Sequence, residues 1–202
     1  IDSIGLGFLF APALNKAMKY VAKTRRELGY RTVFNMLGPI INPAGLDYQC
    51  VGIYDGKLTH KFAEVLREVG VKHALVFHSE DGMDEISTFV KSKVSELQDG
   101  QIHDYEINPK DYGFVTAGDI RNYRGGEPAD NARITRDILT GKEHGAKRDI
   151  VLLNAAAAFY AADQSASIAA GLELAIQMLD SGKAAAKLQE LIDISNELET
   201  GV

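Results

Sequence analysis

Two strand patterns separated by one helical pattern constrain the fold of this chain more than any other feature. Residues 48–54 are typical of a strand, and residues 72–78 form a short, almost continuous apolar run, the pattern of a buried parallel strand. Between them, residues 58–69 place apolar side chains at helical spacing. A strand, a crossover helix and a second strand take about thirty residues, and the crossover makes the two strands parallel. The sequence therefore predicts an α/β fold.

The segment that follows predicts an antiparallel extension of this sheet. Asp99 and Gly100 separate two short runs with alternating apolar residues, and Asp-Gly between such runs is a strong hairpin signal. Residues 108–128 are polar and glycine-rich, which is typical of an irregular connection. The expected fold is α/β, with a mixed, mainly parallel sheet, an antiparallel hairpin, flanking helices and a helical C-terminal third. Helices are expected at 12–23, 130–139, 150–162, 165–180 and 183–198.

Length and composition are those of an ordinary globular protein. The 202 residues fit a single domain, 1–202, with no internal repeat or low-complexity linker to mark a boundary. Because the chain starts at Ile1 without an initiator methionine, we expect it to be a piece of a longer protein. No apolar run approaches the length of a membrane span, and the first twenty residues lack the pattern of a signal peptide. The single cysteine, Cys50, excludes an intrachain disulfide and suits a reducing cytoplasm.

A basic cluster interrupts this acidic protein. Between residues 16 and 31 six side chains are basic and one is acidic, whereas the formal net charge of the chain is −6. The local positive field predicts a small anionic ligand, and a pI near 5.4 argues against broad nucleic-acid binding. Gly38-Pro39 and Asn42-Pro43 follow and predict a stiff loop, because each proline fixes its own φ. An arginine beside such a loop matches a carboxylate bidentately. The alternative is that the arginines are solvated and the prolines only end a helix.

The second candidate site is the acidic turn, residues 81–85, Asp-Gly-Met-Asp-Glu. It follows the buried strand pattern, and ligands gather outside the carboxyl ends of parallel strands in open α/β sheets. Asp84 and Glu85 offer hard oxygens to Mg²⁺, which takes one or two carboxylates together with water and substrate phosphates. The alternative is an exposed loop of acidic residues and glycine that binds nothing.

Other common site patterns do not occur in the sequence. The five histidines form no zinc pattern, and we find no Walker loop, nucleophile elbow or glycine-rich phosphate cradle. His78 precedes the acidic turn, but a histidine at a strand end is more often structural. Residues 125–131 are typical of the start of a helix, with glycines for backbone freedom and acidic residues near the N-terminal dipole. We prefer that interpretation to phosphate binding.

Four motifs occur in order along nearly the whole chain: Arg25-Arg26-x-Leu-Gly-x-Arg31-Thr-x-Phe-Asn35-x-Leu-Gly-Pro39-x-x-Asn-Pro43, Asp81-Gly-x-Asp-Glu-Ile-Ser87, Gly125-Gly-x-x-x-x-Asn131-Ala, and Asn154-Ala-Ala-Ala-Ala. Together they resemble the anthranilate phosphoribosyltransferase family, and the first two are specific. The resemblance corresponds to the C-terminal portion of that family's chains. The family's N-terminal helical bundle and its glycine-rich pyrophosphate loop have no counterpart in this sequence.

The resemblance implies transfer of the phosphoribosyl group from phosphoribosyl pyrophosphate to the amine of anthranilate, with release of pyrophosphate, in tryptophan biosynthesis. It implies Mg²⁺ as cofactor, held by Asp84 and Glu85. It also implies that Arg25 binds the anthranilate carboxylate, with Gly38 and Pro39 forming a wall of the same channel. No residue is assigned a catalytic role, because placement and electrostatics suffice as the ribose C1 gains oxocarbenium character. The implied partners are the two substrates, and the parent protein would be a homodimer through the absent N-terminal domain. We expect no membrane partner.

The chain departs from the family at one position. Many members have a histidine ten residues before the substrate arginine, where this chain has Asn15. Asparagine can still hydrogen-bond a carboxylate but cannot carry charge, so we expect a weaker or differently arranged acceptor contact there. Two alternatives stay open, a pyrimidine nucleoside phosphorylase-like enzyme and a non-catalytic paralogue of the same fold that binds ligands or nucleic acid. The chain alone is expected to be inactive because the phosphate loop is absent.

Overall fold

A four-stranded mixed sheet organises most of the chain that the structure describes. The structure is a computed structural model and describes residues 1–8, 27, 34–40, 42, 44–115 and 117–200, with the backbone alone at 34–36 and 198–200. Contacts divide the chain into two units, one formed by Ile1–Gly45 with Lys187–Val202 and the other by Leu46–Ala186. The sheet and the acidic turn belong to the second unit. A single domain over 1–202 stays a prediction.

The regular elements follow one another along the chain in the order in which they are numbered here. They are α1 (Phe34–Ile40), β1 (Tyr48–Gly52), α2 (Thr59–Glu68), β2 (His73–Ser79), β3 (Ser92–Gln98), β4 (Gln101–Ile107), two 3₁₀ helices (Pro109–Tyr112 and Ile120–Tyr123), α3 (Pro128–Leu139), α4 (Ala146–Ala161), α5 (Ile168–Asp180) and α6 (Lys183–Thr200).

The predicted strand–helix–strand unit is confirmed. Strands β1 and β2 are parallel neighbours, with Tyr48 opposite His73 at one end and Gly52 opposite Phe77 at the other. Helix α2 connects them and buries Phe62 and Leu66 against the sheet. Val69, which the spacing assigned to the same face, lies beyond the end of α2 and is 54% exposed.

The predicted hairpin is also confirmed. Strands β3 and β4 are antiparallel, and Asp99 and Gly100 form the two-residue turn between them. Both turn residues have positive φ, 51° and 75°, which the tight turn of a hairpin requires and which Asp and Gly tolerate. Strand β3 also pairs antiparallel with β2, so the sheet order is β1-β2-β3-β4 with one parallel and two antiparallel pairs. The α/β fold with a mixed sheet and an antiparallel hairpin is therefore as predicted, but the described sheet is mainly antiparallel, because only β1 and β2 are joined by a crossover helix.

The prediction of a stiff loop at Gly38-Pro39 is wrong for the residues that the structure describes. Helix α1 spans Phe34–Ile40 and contains Pro39. Proline has a φ that suits a helix, but it lacks an N–H and its ring crowds the carbonyl of the residue four positions earlier, so a helix tends to end close to it. Since α1 ends one residue after Pro39, the alternative that the prolines end a helix is the better description here.

The C-terminal third is helical, as predicted, with helix ends that differ by a few residues from the expected ones. On one face of the sheet, Leu75 and Phe77 pack in a buried cluster with Leu153 and Ala157 of α4. Alternation along β2 turns its other side chains to the opposite face, where α2 packs. Helices α4 and α5 approach closely, because a Cβ at Gly171 of α5 would overlap the backbone carbonyl oxygen of Ala156. The alanine-rich middle of α4 thus gives the close packing that its composition predicts.

Two further expectations concern the N-terminal helix with the basic cluster, and the crossing of a membrane. The helix at 12–23, with Asn15, and the basic cluster, with Arg25, lie outside the described residues. Among the helices that are described, none combines the length and the apolar character that crossing a membrane requires.

Candidate functional site

The acidic turn lies where the sequence predicts it, at the carboxyl ends of the two parallel strands. It follows β2, which ends at Ser79, and Gly82 makes the turn with a positive φ of 87°. The backbone of Asp84 lies against Gly52, the last residue of β1, so closely that a Cβ there would overlap the carbonyl group of Asp84. Asp84 and Glu85 are both exposed. The turn therefore offers two adjacent carboxylates to a ligand at the sheet edge that open α/β sheets use for binding.

The third carboxylate of the turn is engaged within it. Asp81 accepts a hydrogen bond from the Ser87 hydroxyl at 2.8 Å and another from the backbone N–H of Met83 at 3.3 Å. Ser87 in turn accepts from the N–H of Phe89 at 3.1 Å. These hydrogen bonds hold the turn closed, and they give Asp81 a different role from Asp84 and Glu85. Asp81 shapes the turn, whereas Asp84 and Glu85 lie on its exposed side.

Three buried serines support the turn from beneath, and sequence reasoning missed two of them. Ser79 and Ser92 are opposite each other across β2 and β3, with their hydroxyl oxygens 2.5 Å apart. The Ser79 hydroxyl donates to the carbonyl of Glu85 at 2.5 Å and accepts from the N–H of Ser87 at 3.0 Å. Only Ser87 belongs to the motif that the sequence singled out. The available signal was a serine at the end of β2 and another at the start of β3, which the antiparallel pairing places opposite each other.

The chain beyond the turn is held by Tyr123 of the second 3₁₀ helix. Its hydroxyl accepts from the N–H of Thr88 at 2.9 Å and lies 2.6 Å from the Thr88 hydroxyl. Its ring stacks on Phe89, with centroids 4.8 Å apart. A Cβ at Gly118 would overlap the same Phe89 ring. The irregular connection after β4 therefore packs against Thr88 and Phe89, the residues that follow the turn, and does not only form surface turns.

His78 has a structural role, as expected for a strand-end histidine. Its Nδ1 lies 2.8 Å from the carbonyl oxygen of Ile53, which joins the end of β2 to the chain just after β1. The side chain also borders Gly56, where a Cβ would lie 3.1 Å from the imidazole ring. The contact fixes the spacing of the two parallel strands beside the turn.

The donor set of the turn fits magnesium in one specific way. In the described part of the chain, no group of three or more His, Cys, Asp or Glu side chains is placed to hold a metal ion. These residues therefore do not form a complete metal site by themselves. Two exposed carboxylates are nevertheless what a Mg²⁺ ion takes when water and substrate phosphates supply its other ligands. Asp84 and Glu85 fit that type of site.

The predicted acceptor residues are only partly described. Gly38 is exposed and Pro39 is half-buried, and both lie in α1 of the first unit. Arg25 and Asn15 are not among the described residues, so the channel in which the four were expected to meet stays a prediction.

A buried polar network lies at the opposite end of β2. His73, the first residue of the strand, is 2% exposed, and its ring nitrogens lie 2.8 Å from Asp163 and 3.1 Å from Glu96. Burial, together with the adjacent Glu96, raises the pKa of Tyr160 to about 12 and also raises the pKa of Tyr105. Buried Glu96 bonds His73 and also the hydroxyls of Tyr105 and Tyr160. The network therefore joins β2, β3, β4 and the end of α4.

A second polar network lies on the α2 face of the sheet. Asp104 of β4 accepts from the Ser95 hydroxyl at 2.5 Å and lies 2.9 Å from Nδ1 of His60. Partial burial acts to raise the pKa of Asp104, but the bonds from Ser95 and His60 outweigh it, and the pKa is lowered. The Ser95 hydroxyl also contacts Thr59 at 2.8 Å, which connects α2 to the hairpin.

The segment 125–131 begins a helix, as predicted, although its glycines serve another purpose. The Asn131 amide accepts from the N–H of Gly126 and donates to its carbonyl, both at 2.9 Å. A Cβ at Gly125 would overlap the Asn131 side chain, and a Cβ at Gly126 would lie 2.9 Å from a carboxylate oxygen of Asp130. Neither glycine has a positive φ. They are needed for space beside these side chains, and the expectation of backbone freedom is wrong.

A family model described as "Glycosyl transferase family, a/b domain" matches residues 1–185. The chain belongs to this glycosyl transferase family. An anthranilate phosphoribosyltransferase from Symbiobacterium thermophilum is 50% identical over 199 residues, which are 98% of this chain and 58% of the relative. The corresponding protein of Desulfosudis oleivorans is 46% identical over 195 residues, 96% of this chain and 57% of the relative. The chain thus spans somewhat over half the length of these curated relatives.

Solved structures of relatives have the same fold as this member of the family. The anthranilate phosphoribosyltransferase of Thermus thermophilus superposes with a TM-score of 0.85 and is 40% identical, covering 93% of this chain and 55% of its own. The Saccharomyces cerevisiae enzyme in complex with PRPP and Mg gives a TM-score of 0.83 at 27% identity, covering 92% of this chain and 53% of its own. The same yeast enzyme has been solved with 4-fluoroanthranilate, with a TM-score of 0.84 at 26% identity, covering 93% of this chain and 54% of its own.

Proposed function

We propose that this chain is part of an enzyme that transfers the phosphoribosyl group of phosphoribosyl pyrophosphate to anthranilate. In this reaction the bond from the ribose C1 to the pyrophosphate oxygen breaks, a bond from C1 to the anthranilate nitrogen forms, and the amine loses a proton. The family match, the relatives of that name and the fold all support this assignment. Since the chain spans only part of those relatives, the activity is expected of the full-length parent protein.

The observation that carries the proposal is the exposed pair Asp84 and Glu85 at the carboxyl ends of β1 and β2. These carboxylates would hold Mg²⁺, as the acidity of the turn and the Mg²⁺ bound by the yeast relative suggest. When bound, the ion supplies positive charge that offsets the negative charge developing on the departing pyrophosphate. Asp81 and the serines beneath the turn keep the two carboxylates side by side on the exposed face.

For the acceptor, we propose Arg25, Asn15, Gly38 and Pro39. The guanidinium of Arg25 would bind the carboxylate of anthranilate through a bidentate pair of hydrogen bonds. Asn15 would contribute a neutral hydrogen bond, so most of the charge recognition falls to the arginine. Gly38 and Pro39, a small and a rigid residue, would form the wall against which the aromatic ring packs.

The reaction requires no nucleophilic side chain. As the C1–oxygen bond lengthens, positive charge develops on the ribose, and rate enhancement comes from holding the two substrates in line. His78, the histidine nearest the turn in sequence, bonds the backbone of Ile53 and is occupied structurally. The role of the chain is therefore to orient the substrates and to place negative carboxylates around the diphosphate-bound cation.

We further propose that the parent protein is a cytoplasmic homodimer that associates through a segment outside this chain. The single cysteine suits a reducing compartment. Cross-linking and sedimentation of the parent protein, compared with the 202-residue chain, test the proposal. A dimer that is as stable in the shorter chain as in the parent protein would contradict it.

The direct test is pyrophosphate release by the parent protein with anthranilate, phosphoribosyl pyrophosphate and Mg²⁺. Asp84→Asn combined with Glu85→Gln should reduce turnover by about 100-fold or more, because the ligands of the cation are lost. Glu80→Gln is the matched control, since Glu80 is an exposed acid directly before the turn, and it should retain turnover close to wild type. No turnover in the wild-type parent would reject the enzyme, and substrate binding without turnover would favour a non-catalytic paralogue.

The acceptor site has a separate test. Arg25→Ala should raise KM for anthranilate far more than KM for the ribosyl donor, with Arg26→Ala as the matched control. Equal effects on both constants would remove Arg25 from the acceptor site.

A further inference from the structure

Asn154 of α4 reaches from the helix to the end of the acidic turn. Its side-chain oxygen accepts from the backbone N–H of Ile86 at 3.0 Å, and its side-chain nitrogen donates to the Ile86 carbonyl at 2.9 Å. Ile86 directly follows Glu85 in the chain. One side chain thus satisfies both backbone groups of the residue next to a proposed metal ligand.

The Asn154 amide is itself held in place. Its nitrogen makes another hydrogen bond, 2.9 Å long, to the carbonyl of Ile150 one turn earlier in α4. The Ile86 side chain is fully buried in the cluster that contains Leu153 and Ala157 of the same helix. Hydrogen bonds and apolar packing therefore fix the position of Ile86 relative to α4.

Only an amide satisfies this geometry. The two Ile86 groups are a donor and an acceptor, and a carboxamide presents one of each in the same plane. An aspartate in place of Asn154 would keep the acceptor, lose both donors, and place negative charge beside the Ile86 and Ile150 carbonyl oxygens. An apolar side chain of the same size would leave both backbone groups of Ile86 without partners, which is costly in a buried position.

We propose that Asn154 is a positioning residue for the metal-binding turn, so that the Asp84 and Glu85 carboxylates keep the spacing that the cation requires. The inference rests on the proposed function. The serines hold the turn from the side of β2, where Ser79 donates to the Glu85 carbonyl, and Asn154 holds it from the side of α4. Loss of Asn154 should therefore loosen the turn without releasing it. Groups that orient metal ligands in this way typically change metal affinity by about 10- to 100-fold when removed.

The chain contains a matched control for this hydrogen-bond arrangement. Asn131 makes the same pair of bonds, from its side-chain oxygen and nitrogen to the N–H and carbonyl of one residue, Gly126. It lies at the start of α3, and these bonds do not reach the acidic turn. Asn131→Leu therefore removes an equivalent pair of hydrogen bonds away from the acidic turn. Its Mn²⁺ affinity measures the effect of a general loss of stability.

The experiment compares wild type, Asn154→Leu, Asn154→Asp, Asn154→Gln and Asn131→Leu in the parent protein. Mn²⁺ is the spectroscopic probe, and its binding in saturating pyrophosphate is followed by electron paramagnetic resonance. Amide hydrogen exchange at Ile86, measured without metal, reports the Asn154 hydrogen bonds directly. Asn154→Leu and Asn154→Asp should raise the Mn²⁺ dissociation constant about 10-fold or more, Asn131→Leu less than about 2-fold, and Asn154→Gln should restore part of the loss. Exchange at Ile86 should accelerate only in the Asn154 variants.

Equal shifts in Mn²⁺ affinity for Asn154→Leu and Asn131→Leu would overturn the proposal, as would faster exchange at Ile86 with unchanged affinity. If Asn154→Leu does not fold, the isosteric Asn154→Asp carries the same comparison. Wild-type protein that binds no Mn²⁺ with pyrophosphate would refute both the inference and the metal role of the turn. The expected Mn²⁺ shifts in a protein without phosphoribosyl transfer would uphold the positioning role and reject the proposed reaction.

Discussion

Replacing Gly52 by alanine should disable the proposed metal site without replacing either of its carboxylates. The new Cβ would overlap the carbonyl carbon and oxygen of Asp84 and lie 3.1 Å from the Asp84 Cβ. A real Cβ keeps at least about 3 Å from other heavy atoms, so the backbone at Asp84 must retreat by on the order of 1 Å. The retreat has to be made by the turn, because Gly52 is fixed in β1 by its pairing with β2.

Two magnitudes follow from this displacement. Overpacking of this kind costs about 1–3 kcal/mol of folding stability. A misplacement of about 1 Å at a group that orients substrate can cost about 100-fold in rate. The loss of Mg²⁺-dependent turnover should therefore be much larger than the modest stability change accounts for.

The assay is turnover of the parent protein as a function of Mg²⁺ concentration, together with urea unfolding. Gly56→Ala is the control, because its Cβ would meet only the His78 side chain, with the nearest atom at 3.1 Å. That variant should keep turnover near wild type. Wild-type Mg²⁺ dependence and an unchanged unfolding midpoint in Gly52→Ala would refute the close approach and the role assigned to the turn.

Three further predictions concern stability and are tested by urea unfolding. His73→Leu should destabilise the fold by about 1–3 kcal/mol, because leucine offers buried Glu96 no hydrogen bond, whereas the same change at exposed His144 should have little effect. Asp104→Asn should destabilise most near neutral pH and less in acid, since a lowered pKa stabilises the fold above the unfolded-state pKa and that contribution is lost as pH falls; equal losses at both pH values would contradict this. Gly171→Ala should cost about 1–3 kcal/mol by separating α4 from α5, and an unchanged midpoint would show that the helices can move apart freely.

The elements that sequence predicted well are those set by local periodicity. The apolar run of β2, the spacing in α2 and the Asp99-Gly100 turn each specify one structure, and their combination specifies the neighbouring strands. Helix α1 was missed because Gly-Pro predicts a turn from two residues, whereas the longer segment before it can still form a helix.

The polar networks could not be predicted because they join distant parts of the chain. Asn154 lies 68 residues from Ile86 and Asp163 lies 90 residues from His73, and neither pair has a local signal. The position of the acidic turn was predictable from the rule for strand ends, but its attachment to α4 depends on tertiary packing. Similarly, the glycines at 125 and 126 were assigned to backbone freedom because sequence alone does not show the neighbouring side chain that fills the space.

The two outer strands of the sheet, β1 and β4, differ in charge and therefore in their tendency to pair with other chains. Strand β4 has His103, Asp104 and Glu106 along its length, whereas β1, Tyr-Gln-Cys-Val-Gly, has no charged residue. Charges on an outer strand prevent unwanted strand addition, and an uncharged one invites it. When produced as 202 residues, the protein should therefore self-associate at high concentration through β1 in preference to β4. The substitution Cys50→Lys should suppress that association without disturbing the acidic turn.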